Sequence, residues 1–176
     1  MFGGFATIEC SGLSFILFDT SLGWMGILSS PRGLKRVILP KESREEVLSQ
    51  TKDWGYLTEG YDFDSFGDLP QRLRRYLAGE PVDFSDRLDL AGTTRFQQNV
   101  WQIVRTVPYG QTKSYAWVAG RLGPGKLARA VGQALARNPL PIIIPCHRVI
   151  SGDGSLGGFS DGVEMKKYLL RLEVAI

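Results

Sequence analysis

SYAWVAGRLGPGKLARAVGQALAR, residues 114–137, is the stretch whose reading decides the fold. Apolar residues recur at helical spacing from Ser114 to Leu122, with Tyr115, Val118, Ala119 and Leu122 on one face. Gly123-Pro124-Gly125 breaks the pattern, and a second periodic run follows at once from Lys126 to Arg137. Two helices joined by so short a turn have the layout of a helix-turn-helix. At 100° per residue, Leu127, Ala130, Val131, Ala134 and Leu135 share one side of the second helix. Lys126, Arg129, Gln133 and Arg137 gather on another. That polar side carries no acid, and Ala128, Ala130 and Gly132 are small enough to let the backbone approach a narrow groove.

Working upstream, Thr94 and Gln97 fit a capping box, and Phe96, Val100, Ile103, Val104 and Val107 continue at helical spacing until Pro108-Tyr109-Gly110. Before that helix, PVDFSDRLDLAG (residues 81–92) has no clear period, and the charge changes sign just after it. Residues 1–91 carry 10 Lys and Arg against 14 Asp and Glu, whereas residues 92–176 carry 11 against 4. No acid occurs between Asp89 and Asp153, so this segment attracts polyanions, unless it is simply a solvated basic surface. We place a domain boundary after residue 91.

The amino-terminal part alternates apolar runs with turn residues. Phe5 to Cys10, Leu13 to Phe18, Trp24 to Leu28 and Leu34 to Leu39 read as an antiparallel meander, punctuated by Gly12, Gly23 and Pro31-Arg32-Gly33. Ser43 caps a short helix through Gln50, with Glu45 and Glu46 where the helix dipole favours negative charge. Tyr56 to Asp68 reads as an acidic loop and Pro70 to Leu77 as a helix ending at Gly79. The fold class is therefore α+β: an amino-terminal antiparallel sheet with helices, and a mainly α carboxy-terminal part.

Downstream, Asn138-Pro139-Leu140-Pro141 leads into IIIPCHRVI, residues 142–150. The three isoleucines suggest a buried strand or extended run, since each proline restricts the residue before it. Cys146 is then either a buried, inert thiol or a nucleophile. Its neighbour His147 is the single histidine of the chain, and imidazole near a thiol favours the thiolate. Adjacent residues of a strand point to opposite faces, so the pair needs a turn or a bridging water. Two cysteines and one histidine do not supply a Cys/His zinc site, and no metal or cofactor is expected. Neither apolar runs of membrane-spanning length nor a charged start to a secretory signal is present. We expect a cytoplasmic protein, with no membrane partner, acting as a monomer.

PCHRVI, together with RAVGxAxxxNP (Arg129 to Pro139), FQQNVW, VPYGQT, SYAWVA and KKYLLRLE, closely resembles the O6-alkylguanine-DNA alkyltransferase family through residues 92–176. The likeness of the amino-terminal part is looser and rests on LDLAGTTRFQ. The resemblance implies a ribonuclease H-like amino-terminal domain and a winged helix-turn-helix. It also implies that Cys146 takes an alkyl group from O6-alkylguanine, with O4-methylthymine as a second candidate lesion, in a single turnover. His147 would receive the thiol proton through water, Glu173 would orient the imidazole, and Asn138 would hold the turn. Tyr115 would donate to guanine N3 and Ser160 toward O6, while the carbonyls of Cys146 and Val149 would accept from the exocyclic amine. The loop from Gly154 through Gly157 to Phe159 would close over the ring. Double-stranded DNA would be bound through the minor groove by Lys126, Ala128, Ala130, Gly132 and Arg137, with Arg129 filling the space of a guanine flipped from the helix. Two departures stand out: Phe159 replaces a common tyrosine, and Leu127 a smaller residue. The competing readings are a non-catalytic helix-turn-helix DNA-binding regulator and a thiol hydrolase using Cys146 and His147.

Overall fold

The computed structural model describes residues 12–52, 66–125 and 127–175. The expected first strand, Phe5 to Cys10, most of the acidic loop and Lys126 lie outside the described residues. The chain forms two compact units: residues 1–74 with 85–89, and residues 75–84 with 90–176.

In the first unit the glycine and proline punctuation produces an antiparallel meander. β1 (Ser14–Thr20) pairs with β2 (Gly23–Ser30), and β2 with β3 (Gly33–Lys41). Helix α1 (Arg44–Ser49) starts where Ser43 accepts a hydrogen bond from the Glu46 amide at 3.2 Å. Val47 of α1 packs with Phe15, Leu28 and Ile38 to form the core of this unit. Removing such side chains from water stabilises the unit by about 1.5–3 kcal/mol each. Residues 85–89 close against β3, with the Leu34 amide donating to the Arg87 carbonyl at 2.8 Å. Gly33 is required there: at φ +134°, a Cβ would sit 2.3 Å from the Arg87 oxygen.

Helix α2 (Leu69–Leu77) begins in the first unit, and its last turn, from Arg75, belongs to the second. In that unit α3 (Arg95–Arg105) opens on the complete Thr94–Gln97 capping box. It buries Val100, Trp101 and Val104, and the Trp101 indole donates to the Ala134 carbonyl at 3.0 Å. Helix α4 (Tyr115–Leu122) is capped by Ser114, and α5 (Ala128–Ala136) follows after a turn containing Gly123 and Gly125, both at φ 128°. Val131, Ala134 and Leu135 of α5 are buried, while Arg129, Gln133 and Arg137 are exposed, the division that the helical spacing predicts. A two-residue parallel ladder joins β4 (Lys113–Ser114) to β5 (Val149–Ile150), and α6 (Val163–Leu172) ends the described chain. Among the described residues no helix is long and apolar enough to cross a membrane.

The three isoleucines do not form a strand. Pro141 and Ile144 bridge across a tight buried turn, and Ile142 takes φ 73°, a conformation that costs a β-branched residue free energy. The flanking prolines are the reason: neither donates to a ladder, and both fix φ. After Pro145 the Cys146 amide donates back to the Ile144 carbonyl at 2.7 Å, and Cys146–Arg148 make one turn of 3-10 helix.

Candidate active site

Three elements bring chemistry together in the second unit: the turn after Asn138, the 3-10 turn it leads into, and the end of α6. Asn138 is the organiser. Its side-chain oxygen accepts from the Leu140 amide at 2.9 Å, as an Asx turn does. Its amide nitrogen donates to the Ile144 carbonyl at 2.9 Å and to Cys146 Sγ at 3.0 Å. The strained turn is thereby tied at both ends, and the sulfur is fixed.

Cys146 is 5% exposed, and burial pushes its thiol up to about 11, only partly offset by the Asn138 amide and the charge of Lys166. At neutral pH the sulfur rests protonated. Ionising it at pH 7 costs on the order of 5 kcal/mol, so a base must take the proton as the sulfur reacts.

His147, the next residue, is completely buried. The 3-10 turn directs Nε2 of its ring toward α6, where it lies 2.9 Å from Glu173 Oε1 and 3.2 Å from the Tyr76 hydroxyl. Burial holds the imidazole below its ordinary value, which makes it neutral at pH 7. Nδ1 has no hydrogen-bond partner. A buried ring nitrogen without a partner is the expected seat of a water that joins it to a neighbouring group.

Glu173, at the carboxy-terminal cap of α6, is anchored on every side. Burial alone would raise its carboxyl, but donors from His147, Arg148 and Tyr76 outweigh that and bring it to about 2. Arg148 donates from Nε to Oε2 and from Nη2 to Oε1, each at 2.9 Å, and from Nη1 to the Val107 carbonyl at 2.7 Å. The Gly110 amide adds a fifth donor at 3.2 Å.

Above the sulfur lies a cavity of about 400 Å³ lined by Tyr115, Gly132, Leu135, Ala136, Cys146, Gly158, Phe159 and Ser160. Of the residues predicted for the site, Tyr115, Cys146, Phe159 and Ser160 meet there, together with Gly132, which was expected on the DNA-facing surface. Gly157 backs the Tyr115 hydroxyl, which a Cβ at that position would approach to 2.7 Å. Val149 is buried, and its carbonyl already accepts from Lys166 Nζ at 2.6 Å. A second recess of about 630 Å³ opens between α4 and α5, lined by Ala116, Ala119, Gly120, Leu127, Ala128 and Arg129. A third, of about 140 Å³, lies between α3 and α5 and includes Ala130 and Arg137. Lys126 is outside the described residues.

Tyr76 and Lys166 were missed by the sequence reading. Tyr76 sits in a stretch recognised only as a helix, and nothing local marks it as polar-bonded. Lys166 is 1% exposed, and burial lowers its ammonium to about 8. Helical spacing puts it on the face of Leu169, Leu170 and Glu173, a signal that the sequence reading left unused. Among the described residues no three or more His, Cys, Asp or Glu side chains gather as a metal site would require.

A protonated, fixed thiol at the base of a cavity, beside an imidazole backed by a buried carboxylate, is the equipment of a cysteine nucleophile. Comparison with known proteins identifies the family. Residues 95–175 match the DNA-binding domain of the 6-O-methylguanine DNA methyltransferases. A methylated-DNA–protein-cysteine methyltransferase of Methanosarcina acetivorans is 36% identical, over 90% of this chain and 97% of that one. The constitutive one of Bacillus subtilis is 38% identical over 88% and 92%. In structure, Mycobacterium tuberculosis OGT in complex with DNA superposes with a TM-score of 0.76 at 36% identity, covering 92% of this chain and 93% of that one. The chain belongs to the methylated-DNA–protein-cysteine methyltransferase family.

Proposed function

We propose that the protein repairs DNA by moving the alkyl group of O6-alkylguanine irreversibly onto Cys146. The observation that carries this reading is the buried thiol at the floor of the cavity, next to a neutral His147 whose Nδ1 is unpartnered. Sγ attacks the alkyl carbon, the carbon–sulfur bond forms as the carbon–O6 bond breaks, and the thiol proton passes through a water to Nδ1. Glu173 compensates the imidazolium that results. The displaced guanine anion takes one proton from water and the imidazolium returns its own to water, so the base is restored with no net gain or loss of protons. Tyr115 donates to N3 and Ser160 toward O6, so charge developing on the base is met by hydrogen bonds, while the Val149 and Cys146 carbonyls accept from the exocyclic amine.

A guanine stacked in a duplex does not reach a buried sulfur, so the nucleotide is rotated out. In this reading α4 and α5 form a winged helix-turn-helix whose second helix enters the minor groove. Ala128, Ala130 and Gly132 allow close approach there, Lys126 and Arg137 meet phosphates, and Arg129 fills the vacated stack. Lesions occur at any sequence, which suits the degenerate minor groove. Residues 92–176 then form the DNA-binding and transfer domain, preceded in the sequence by a ribonuclease H-like domain of residues 1–91, and the protein works as a cytoplasmic monomer without a cofactor.

A thioether does not release its alkyl group, so each molecule acts once. Titrating the protein with excess methylated duplex is expected to give a plateau at one methyl per chain. Continued release of repaired DNA beyond that plateau would overturn the reading.

A further inference from the structure

Tyr76 lies far from the motif that carries the cysteine, yet the last turn of α2 buries it completely within the second unit. Its ring meets Phe84 and Tyr109 edge-on, with centroids 5.9 Å and 6.1 Å apart. Its hydroxyl lies between the two groups on which thiol activation depends, 2.5 Å from Glu173 Oε1 and 3.2 Å from His147 Nε2. A phenol has one proton to donate. The carboxylate accepts and never donates while ionised, so the short contact assigns that proton to Glu173. What the phenol oxygen turns toward His147 is a lone pair.

We propose that Tyr76 is a positioning residue for the His147–Glu173 pair: with its proton committed to Glu173, it offers His147 only an acceptor, keeps a hydrogen on Nε2, and so leaves Nδ1 as the basic nitrogen. The inference rests on the alkyl-transfer reading for its purpose, but not for its geometry. In the opposite tautomer the Nε2 lone pair would face a carboxylate oxygen and a phenol oxygen with no hydrogen between them. Relief would require Tyr76 to abandon its 2.5 Å bond to Glu173. Nδ1 would meanwhile hold a hydrogen beside a thiol that must lose one.

Tyr76 also sets how strongly Glu173 pulls a proton onto the ring. The charged and titratable groups acting on the imidazole are Glu173 and Lys166 at α6, Arg148 on the same turn, and Tyr76 from α2, with Tyr109 behind Tyr76 and Arg148. Of the donors to Glu173, the Tyr76 hydroxyl is the shortest. Removing it leaves the carboxylate charge less shared, and the imidazole then takes up a proton more readily. Loss of one such hydrogen bond corresponds to a rise of about half a unit to one unit in the imidazole midpoint.

The chain has a single histidine, so 15N labelling of histidine in the full-length protein gives one imidazole to follow. In the wild type near neutral pH the hydrogen is expected on Nε2 and not on Nδ1. Tyr76→Phe keeps the packed ring, and its imidazole midpoint is expected to rise by about half a unit to one unit. The acid limb of the transfer rate with free O6-benzylguanine moves with it. A hydrogen on Nδ1 in the wild type overturns the proposal, and that outcome is readable even where the variant does not fold. An unmoved or lowered midpoint in Tyr76→Phe, with a rate reduced equally at every pH, makes Tyr76 a packing residue only and also overturns it. Failure of the alkyl-transfer reading looks different: the imidazole would titrate as described while no alkyl group reached Cys146 in either protein.

Discussion

Asn138→Ala removes three hydrogen bonds at once, and their separate costs follow from the structure. The Leu140 amide loses its partner in a fully buried position, while the Ile144 carbonyl keeps the Cys146 amide at 2.7 Å and loses only its second donor. One orphaned buried donor plus one weakened acceptor, in a turn that already holds Ile142 at φ 73°, should cost about 2–4 kcal/mol of stability. For a chain of this size that is a fall of roughly 5–15 °C in Tm. The third bond acts on chemistry: a hydrogen bond to a charged group is worth about 1.5–3 kcal/mol, and the sulfur is charged only as it reacts. Transfer should therefore slow by about 10- to 100-fold at a temperature where the variant is still folded. Denaturant unfolding gives the first quantity and single-turnover transfer to the free base the second. Asn138→Asp keeps the acceptor for Leu140 but loses both donors and sets a buried negative charge against Sγ and the Ile144 carbonyl, so it should be the slower variant. A full wild-type rate in folded Asn138→Ala would refute the claim that this amide prepares the sulfur.

Three further outcomes are expected. Arg129→Ala should slow repair of methylated duplex much more than reaction with free O6-benzylguanine, and equal losses on both would remove Arg129 from the space of the flipped base. Gly157→Ala places a methyl 2.7 Å from the Tyr115 hydroxyl at φ +67°, so it should slow transfer at least tenfold with little change in unfolding temperature; an unchanged rate would mean that Tyr115 does not need its present place. Glu173 lies below its ordinary value, so its contribution to stability is complete above about pH 4.5 and is lost as the pH falls toward about 2. Depressed His147 adds to that loss once the pH falls below the ordinary imidazole range. Acid unfolding curves of wild type and Glu173→Gln check this: the variant should be less stable at pH 7, with the difference narrowing in acid.

Much of this molecule is written locally, and the parts that are not share a physical reason. Caps, turns and periodicity specify α1, α3, α4 and α5 because those signals act within a few residues, as Ser43 and the Thr94–Gln97 pair illustrate. The family likeness likewise rests on contiguous motifs. The isoleucine run misleads because apolar composition reports burial and not backbone direction; the prolines around it and the side chain of Asn138, not β propensity, determine its path. Tyr76 and Lys166 were illegible for another reason. Their hydrogen-bond partners are 71 or more residues away for Tyr76 and 17 for Lys166, so only the folded chain reveals which polar groups a tyrosine and a lysine on buried helix faces meet around the thiol-activating pair.

The most direct measurement is the mass of the Cys146 peptide after incubation with duplex DNA carrying O6-methylguanine. The account predicts a single added methyl on that peptide, matched mole for mole by guanine restored in the DNA. DNA that is bound and repaired while Cys146 stays unmodified, or a methyl found on another residue, would contradict it.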